Sequence, residues 1–361
     1  MKGLIMQSIV VFGLGKVGHL VADILHNLNF KVLGVDATPH NFNFETKAMD
    51  VTNPNEIEAL LKNYDAVVSC LPYHLNINLA TLTHQAGCHY FDLTEDVATT
   101  NHIRNLAKNS KGVMAPQCGL APGFIGIVGA HLAQKFDKVR SIELRVGALP
   151  QHPRGQLGYA FNWSAEGVVN EYLNDCEVIQ NGKRATVPAL EGLETIVIGG
   201  NRLESFTTSG GLGTMCETYE GKVEQLNYKT MRYPGHCNLM RFFFHELHMK
   251  DNRKQAGEIL VHAKPPVNDD VVYVHAAVEG MQMGQLFREE FVKAYNPQAI
   301  NGKIQRAISW TTAASICAVI EMVQSGALPQ TGFLKQEEIP LDAFFKTKSG
   351  RLYLQSASND S

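Results

Sequence analysis

Three glycines near the start of the chain have the spacing that lets a backbone approach a pyrophosphate. They form the pattern Gly13-x-Gly15-x-x-Gly18, which follows an apolar run and precedes a stretch of helical periodicity. In such a turn the first glycine allows the tight bend, the second admits the phosphates, and the third brings helix close to strand. Lys16 and Val17 lie inside the turn, where the helix N-terminus would face the phosphates. The pattern predicts a dinucleotide site that includes all five residues.

An acidic residue follows at the distance expected for binding the adenosine ribose. The second apolar run, 31–35, ends at Asp36. A carboxylate there can accept hydrogen bonds from both ribose hydroxyls and would repel a 2′-phosphate. No lysine or arginine occurs in 37–40, so we predict NAD as the cofactor, with NADP less favoured. Asp50, after the third strand, is placed to meet the adenine edge, although a loop-capping acid is an equal alternative.

Polar side chains follow the later strands, where the nicotinamide half of a dinucleotide should lie. Ligands of open parallel sheets bind beyond the carboxyl ends of the strands. Leu71 and Pro72 follow the fourth strand and are predicted to contact the cofactor. The next polar groups at these ends are a hydroxyl, a carboxylate and a thiol, supplied by Tyr73, Asp92 and Cys118. The alternatives are packing for the tyrosine and the cysteine, and a backbone cap at the next turn for the aspartate.

Alternating strands and helices are expected to position these residues. Apolar runs of strand length recur along the first part of the chain, separated by segments of helix length, at 7–12, 31–35, 48–51, 66–73, 88–95 and 112–119. Such alternation is typical of a parallel sheet whose crossovers are helices. We therefore expect an α/β protein with a Rossmann-type doubly wound parallel sheet.

The pattern changes after about Lys138, which indicates a second, α+β domain. β-rich runs at 141–146 and 195–198 are separated by glycine-rich turns, and a long apolar helix, 304–323, is expected to return the chain to the first domain. We predict a dinucleotide-binding domain at 1–137 with a return segment at about 304–350, a substrate-binding and dimerisation domain at 138–303, and a disordered tail at 353–361.

Composition and charge argue against several classes of function. The 361-residue chain has a formal net charge of −3 and no long basic run, so it offers no footprint for nucleic acid or an anionic membrane. We find no signal-peptide pattern and no apolar run near the length of a membrane span. The seven cysteines form no CxxC pair, and His245 and His248 lack a third convergent ligand. We expect a soluble cytoplasmic protein with reduced thiols and no metal site.

Several motifs resemble those of the saccharopine dehydrogenase-like oxidoreductases, a family that includes lysine 6-dehydrogenase and carboxynorspermidine dehydrogenase. Besides the glycine turn they are Leu71–Tyr73, Cys118–Gly123, Asn162–Tyr172 with the following Asn181–Lys183, and Met231–His236. The resemblance covers nearly the whole chain, and its last two motifs are the most specific. The compact length and the Arg-Tyr-Pro-Gly-His motif are more similar to lysine 6-dehydrogenase. The resemblance implies a tyrosine, an acid and a cysteine near the substrate, and it implies a homodimer.

An amino-acid substrate carries a carboxylate, which an arginine or backbone N–H groups match best. Arg232, Asn162 and Ser164, in the two most specific motifs, are therefore candidates for binding the substrate. His236 could titrate near neutral pH and relay a proton. An equal alternative for His236 is a structural role in the turn after Gly235.

We predict an NAD-dependent oxidoreductase that acts on the C–N bond of an amino acid. The amine must be neutral before hydride leaves its carbon, and a lysine ammonium has a pKa of about 10.4. Asp92 is the carboxylate best able to hold the developing cation, while Tyr73 and Cys118 could orient amine and water. Lysine 6-dehydrogenase activity is favoured slightly over saccharopine dehydrogenase or carboxynorspermidine dehydrogenase-type activity. A regulatory protein that binds NAD without catalysis is the alternative of a different class.

Overall fold

The computed structural model describes residues 6–38 and 40–355. Contacts divide the chain into two compact units. The first unit comprises the residues up to Phe124 together with those from Ser309 onwards, and the second comprises Ile125–Ile308. The boundaries predicted at 137 and 304 are therefore displaced to 124 and 309.

Six strands and four helices alternate in the first part of the chain. The strands are β1 (Ser8–Phe12), β2 (Lys31–Asp36), β3 (Glu45–Ala48), β4 (Ala66–Ser69), β5 (His89–Asp92) and β6 (Val113–Ala115). The helices are α1 (Gly18–Asn27), α2 (Pro54–Leu61), α3 (Tyr73–Ala86) and α4 (Val97–Ala107). The apolar side chains of β1 and β4 are buried without alternation, as expected for strands covered on both faces.

The second unit combines helices with a large sheet. Its helices are α5 (Phe124–Ala133), α6 (Ala165–Leu173), α7 (Met215–Tyr219), α8 (His236–Arg241), which continues into a π-helical turn (Phe242–Glu246), and α9 (Arg253–Ala263). Its strands are β7 (Lys138–Pro150), β8 (Cys176–Gln180), β9 (Lys183–Val187), β10 (Glu194–Ile198), β11 (Asn201–Thr207), β12 (Gln225–Arg232), β13 (Asp270–Gln282), β14 (Gln285–Tyr295), β15 (Gln298–Ile300) and β16 (Lys303–Gln305).

The sheet of the second unit is mixed. Its main strand order is β10-β11-β12-β7-β13-β14, with β8 paired to β12 and β9 paired to β8. β12 runs parallel to β7, whereas the other pairs are antiparallel. Helices α6, α8 and α9 contribute to one buried apolar cluster on this sheet, which includes Val169, Phe206, Met240 and Leu260.

Helix α5 belongs to the second unit because two of its glycines allow close packing there. A Cβ added to Gly129 would lie 2.7 Å from a methyl carbon of Leu144, and one added to Gly126 would lie 3.5 Å from the sulfur of Met215. This packing explains why the boundary lies before α5, although the βα pattern of the sequence continues through it.

The chain ends with α10 (Ala307–Gln324), β17 (Gly332–Phe333) and α11 (Leu341–Phe344). Strand β17 pairs with β6 and completes a parallel sheet with the order β17-β6-β5-β4-β1-β2-β3. This order confirms the predicted doubly wound fold. Tyr353 is buried and its hydroxyl donates to the carbonyl oxygen of Thr311, so the predicted disordered tail does not begin at 353. Residues 356–361 lie outside the described residues.

Among the described helices, α10 alone is long and apolar enough to cross a membrane. This finding differs from the expectation that no apolar run approaches the length of a membrane span. Most of α10 is buried within the protein, which is typical of a core helix. The prediction that this segment is helical is confirmed, but residues 303–305 form a strand that pairs with 298–300 instead of a first helical turn.

Candidate dinucleotide and substrate sites

The glycine turn between β1 and α1 has the backbone geometry that its sequence predicts. Gly13 has a φ of +88°, and a Cβ there would lie 2.8 Å from the carbonyl oxygen of Cys70. A Cβ on Gly18 would lie 1.8 Å from the carbonyl oxygen of Gly13, so only glycine fits. A Cβ on Gly15 would meet no atom within 4 Å. The first and third glycines are therefore required by the protein itself, while the second faces open space that a pyrophosphate could occupy.

The other predicted cofactor residues of this region surround the same turn. Lys16 is exposed, and Val17 is the N-cap residue of α1. Leu71 lies close to Gly13, because one of its methyl carbons would be 3.2 Å from a Cβ added to Gly13. Pro72 is the exposed N-cap residue of α3. Because β1 and β4 are neighbours at the point where the strand order reverses, these residues share the edge at which ligands of such sheets bind.

Asp36 joins the end of β2 to the glycine turn. Its Oδ2 accepts a hydrogen bond from the backbone N–H of Leu14 at 2.7 Å, and its Oδ1 accepts one from the backbone N–H of Thr38 at 3.2 Å. Burial raises the pKa of this carboxyl, but the hydrogen bonds from Leu14 and Thr38 and the nearby His40 outweigh burial, so the pKa is lowered. Asp36 is thus an ionised, partly exposed carboxylate beside the turn.

Asp50 has the geometry of the loop-capping alternative. Its Oδ1 accepts hydrogen bonds from the hydroxyl of Thr52 at 2.7 Å and from the backbone N–H of Thr52 at 2.8 Å. These two hydrogen bonds lower the pKa of the carboxyl. The side chain is exposed, and its contact with adenine stays a prediction.

Asp92 is completely buried at the end of β5. Its Oδ1 accepts hydrogen bonds from the backbone N–H groups of Thr94 and Gln117, at 2.9 and 3.0 Å, and its Oδ2 accepts one from the hydroxyl of Tyr90 at 3.0 Å. Burial raises the pKa of Asp92 to about 6, against the lowering effect of these three donors. Asp92 therefore ties the loops after β5 and β6 together. Because 0% of its surface is exposed, its carboxylate does not face a substrate in this structure, which differs from the prediction.

Cys118 is also committed to internal contacts. Its thiol donates to the carbonyl oxygen of Ala115 at 3.2 Å, and the amide nitrogen of Gln336 lies 3.3 Å from its sulfur. Burial raises the pKa of the thiol far above its usual range, so these contacts favour the alternative of a packing residue, and a role near the substrate stays a prediction. Tyr73 differs, because it begins α3 with a partly exposed side chain and stays available to a ligand.

A buried polar network behind these strand ends was missed by the sequence analysis. The hydroxyl of Ser69 donates to the side-chain oxygen of Asn76 at 2.6 Å, and Tyr90 donates to Asp92. The sequence did carry one signal for it: residues two apart on a strand share a face, so Tyr90 had to lie beside Asp92.

Arg232 is the buried cation of the second unit. Its Nε donates to the hydroxyl oxygen of Tyr172 at 2.8 Å, and its Nη1 donates to the hydroxyl of Thr230 and to the carbonyl oxygen of Met231. The guanidinium lies over the ring of Tyr159, 4.7 Å from its centroid. Burial disfavours the charged form of Arg232, but Tyr172, Tyr159 and the buried carboxylate of Glu171 outweigh burial, so the pKa of the guanidinium is raised above its usual range.

His236 lies behind Arg232 and is a structural residue. Its Nδ1 is 2.9 Å from the carbonyl oxygen of Leu157, and its Nε2 is 3.0 Å from the hydroxyl of Tyr172. Burial and the Arg232 charge lower the pKa of His236 to about 3. The predicted proton relay near neutral pH was wrong, because the imidazole stays neutral there and holds Tyr172 in place.

Asn162 and Ser164 have structural partners as well. The side-chain oxygen of Asn162 accepts a hydrogen bond from the backbone N–H of Val267 at 2.8 Å. The hydroxyl of Ser164 accepts one from the backbone N–H of Gly167 at 3.1 Å and caps α6. Both contacts are structural, and a contact of either side chain with a substrate stays a prediction. The spacing of Ser164 before α6 is that of an N-cap and could have been read as such.

Two family models match the chain in succession. The saccharopine dehydrogenase NADP binding domain matches residues 9–115, and the saccharopine dehydrogenase C-terminal domain matches residues 119–351. The chain belongs to the saccharopine dehydrogenase family. The predicted family is thus confirmed.

Curated relatives in this family are distant. Saccharopine dehydrogenase [NADP(+), L-glutamate-forming] of Schizosaccharomyces pombe is 22% identical over 210 residues, which cover 53% of this chain and 46% of the relative. The Saccharomyces cerevisiae enzyme of the same name is 25% identical over 162 residues, covering 41% of this chain and 34% of the relative. The alignments therefore span less than half the length of either curated relative.

Solved structures of saccharopine dehydrogenase and of another amino-acid dehydrogenase share this fold. The apo L-glutamate-forming saccharopine dehydrogenase of Saccharomyces cerevisiae matches with a TM-score of 0.74 at 15% identity, covering 94% of this chain and 96% of that one. An engineered D-amino acid dehydrogenase bound to NADP+ matches with a TM-score of 0.51 at 13% identity, covering 97% and 99%. The family model and both curated relatives carry NADP in their names, which runs against the predicted preference for NAD.

Proposed function

We propose that the protein is a saccharopine dehydrogenase-like oxidoreductase that uses a nicotinamide dinucleotide to oxidise the C–N bond of an amino acid. The observation that carries this proposal is the buried guanidinium of Arg232, whose hydrogen bonds to Tyr172, Thr230 and Met231 all go to neutral oxygen atoms. A substrate carboxylate would act on the guanidinium in addition to the carboxylate of Glu171, and Arg232 can receive it with a planar, permanently charged group. The glycine turn of the first unit supports the second requirement, a dinucleotide.

The residues of the first unit fit the dinucleotide. Gly15 leaves space for a pyrophosphate and Asp36 offers a carboxylate to ribose hydroxyls. When bound, the nicotinamide would accept hydride from the carbon that bears the amine, and the resulting iminium would be hydrolysed by water. Tyr73, whose side chain is partly exposed, is our candidate for orienting the amine, and Asp92 fixes the strand-end loops from behind.

We favour L-lysine as the substrate, because the motif that contains Arg232 and His236 resembles lysine 6-dehydrogenase. Saccharopine is the second candidate, since the curated relatives are saccharopine dehydrogenases. We also favour NAD, because an ionised Asp36 would repel a 2′-phosphate.

The test is the absorbance of the reduced cofactor formed from NAD or NADP, with L-lysine and saccharopine in parallel reactions at alkaline pH. A signal with lysine alone supports lysine oxidation, and a signal with saccharopine alone supports the second candidate. Arg232→Lys keeps the charge but loses the planar fork, so we expect a raised KM; the exposed Arg202→Lys on the same sheet is the matched control. Absence of turnover with any amino acid, in a protein that still binds NAD, would leave a regulatory dinucleotide-binding protein.

A further inference from the structure

A histidine faces the carboxylate that would contact the adenosine ribose. Nε2 of His40 lies 3.6 Å from Oδ1 of Asp36, and both side chains are partly exposed. The hydroxyl of Thr38 bridges them, at 3.4 Å from Oδ1 of Asp36 and 3.3 Å from Nε2 of His40. The predicted preference for NAD rests on the absence of lysine and arginine from 37–40 and does not include this imidazole.

His40 is held in place by aromatic packing and by β3. Its ring stacks on Phe42 with centroids 5.4 Å apart, and Phe42 stacks in turn on Phe44 at 5.2 Å. The hydroxyl of Thr46 on β3 donates to the backbone carbonyl oxygen of His40 at 2.7 Å. The imidazole is therefore fixed beside Asp36.

The charges on these two groups decide what the ribose can carry. An ionised Asp36 alone would repel a 2′-phosphate, which carries between one and two negative charges near neutral pH. A protonated imidazole beside it would cancel that charge and offer the phosphate an N–H donor. A neutral imidazole would leave the carboxylate unopposed.

We propose that His40 determines the choice of dinucleotide, so that the protein accepts NADP when the imidazole is protonated and favours NAD when it is neutral. The inference rests on the dinucleotide site of the proposed function and extends it to cofactor selection. It also reconciles the carboxylate at Asp36 with a family whose domain name and curated relatives refer to NADP.

Among the residues that the structure describes, few other titratable groups face the imidazole. Asp36 approaches it from β2, and His19 of α1 reaches it across Phe42, on which the ring of His19 stacks at 5.8 Å. Nδ1 of His19 lies 2.7 Å from the carbonyl oxygen of Gly15 and therefore donates to it in either charge state. β3 contributes the neutral hydroxyl of Thr46. Asp36 is thus the group whose charge His40 opposes.

The experiment measures dissociation constants of NAD and NADP by calorimetry at pH 6 and pH 8 for the full chain and its variants. His40→Gln keeps a polar side chain without a titrating charge, His40→Arg keeps a permanent charge, and His84→Gln, at a histidine paired with Asn109, is the control. The 2′-phosphate itself takes up protons in this range, and that contribution is common to all variants.

We expect the ratio of the NADP to the NAD dissociation constant to rise between pH 6 and pH 8, and to rise more in the wild type than in His40→Gln. The difference between the two proteins should reach about fivefold at most, because a partly exposed ion pair contributes no more than that. His40→Arg should bind NADP about equally well at both values, apart from the phosphate's own contribution. An equal pH dependence in the wild type and His40→Gln, with NAD still bound, would overturn the role of His40 and leave the proposed function intact. If dinucleotide binding changes with pH as expected but no amino acid is turned over, the role of His40 is supported and the proposed function is overturned.

Discussion

The hydroxyl of Tyr172 donates to Nε2 of His236, and this direction is set by the far side of the imidazole. Nδ1 of His236 faces the carbonyl oxygen of Leu157, which can only accept, so the neutral ring carries its proton on Nδ1 and offers Nε2 as an acceptor. With its proton given to His236, the oxygen of Tyr172 is left to accept from Nε of Arg232. The three residues thus orient the guanidinium that we assign to the substrate carboxylate.

Tyr172→Phe should weaken substrate binding without affecting the dinucleotide. The change removes the partner of Arg232 Nε, and a hydrogen bond to a charged group contributes about 1.5–3 kcal/mol, so we expect KM for the amino acid to rise about tenfold or more. The measurement is the KM of the amino acid together with the dissociation constant of NAD. Tyr219→Phe, in a tyrosine outside this cluster, is the control. An unchanged KM would show that Tyr172 does not position Arg232.

His236 should make the protein sensitive to acid. Its pKa is about 6.5 in an unfolded chain and about 3 in the folded protein, so the unfolded state binds more protons between these values. Stability conferred by the neutral ring is therefore fully present above about pH 6.5 and is lost as the pH falls toward 3. We expect the free energy of unfolding to fall less steeply across this window in His236→Gln than in the wild type, measured by urea unfolding. Identical slopes, with the exposed His262→Gln as reference, would contradict the assignment.

The glycine turn and the order of the first sheet could be predicted because both depend on local patterns. Turn chemistry and strand spacing are properties of short segments, and the structure reproduces them at Gly13 and Gly18. The state of Cys118 could not be predicted, because one of its partners, Gln336, lies 218 residues further along the chain. The burial of Asp92 could not be predicted either, because it depends on the loops after β5 and β6, which meet at this carboxylate only in the folded protein. Asp92 was therefore predicted to be a catalytic charge.

Asp92→Asn should change the pH dependence of stability in the direction opposite to the histidine. The pKa of Asp92 is raised from 3.8 to about 6 in the folded protein, so the folded state binds more protons between these values. The wild type therefore loses stability relative to the variant as the pH rises from about 4 to 6, by at most about 3 kcal/mol. The measurement compares the free energy of unfolding of both proteins at pH 4, 5, 6 and 7. A difference that stays constant across this range would show that Asp92 is ionised throughout.

Alanine substitutions at two glycines of the same turn should separate ligand binding from folding. A methyl group on Gly15 meets no protein atom within 4 Å, whereas one on Gly18 would lie 1.8 Å from the carbonyl oxygen of Gly13. We expect Gly15→Ala to keep the melting temperature of the wild type and to bind NAD at least about tenfold more weakly, because the methyl group occupies the approach of the pyrophosphate. Gly18→Ala should melt at a lower temperature, since α1 must move away from β1. Calorimetric titration measures the affinity for NAD, and thermal unfolding of the same samples measures the melting temperature. Normal NAD affinity in Gly15→Ala would show that the dinucleotide does not cross this turn.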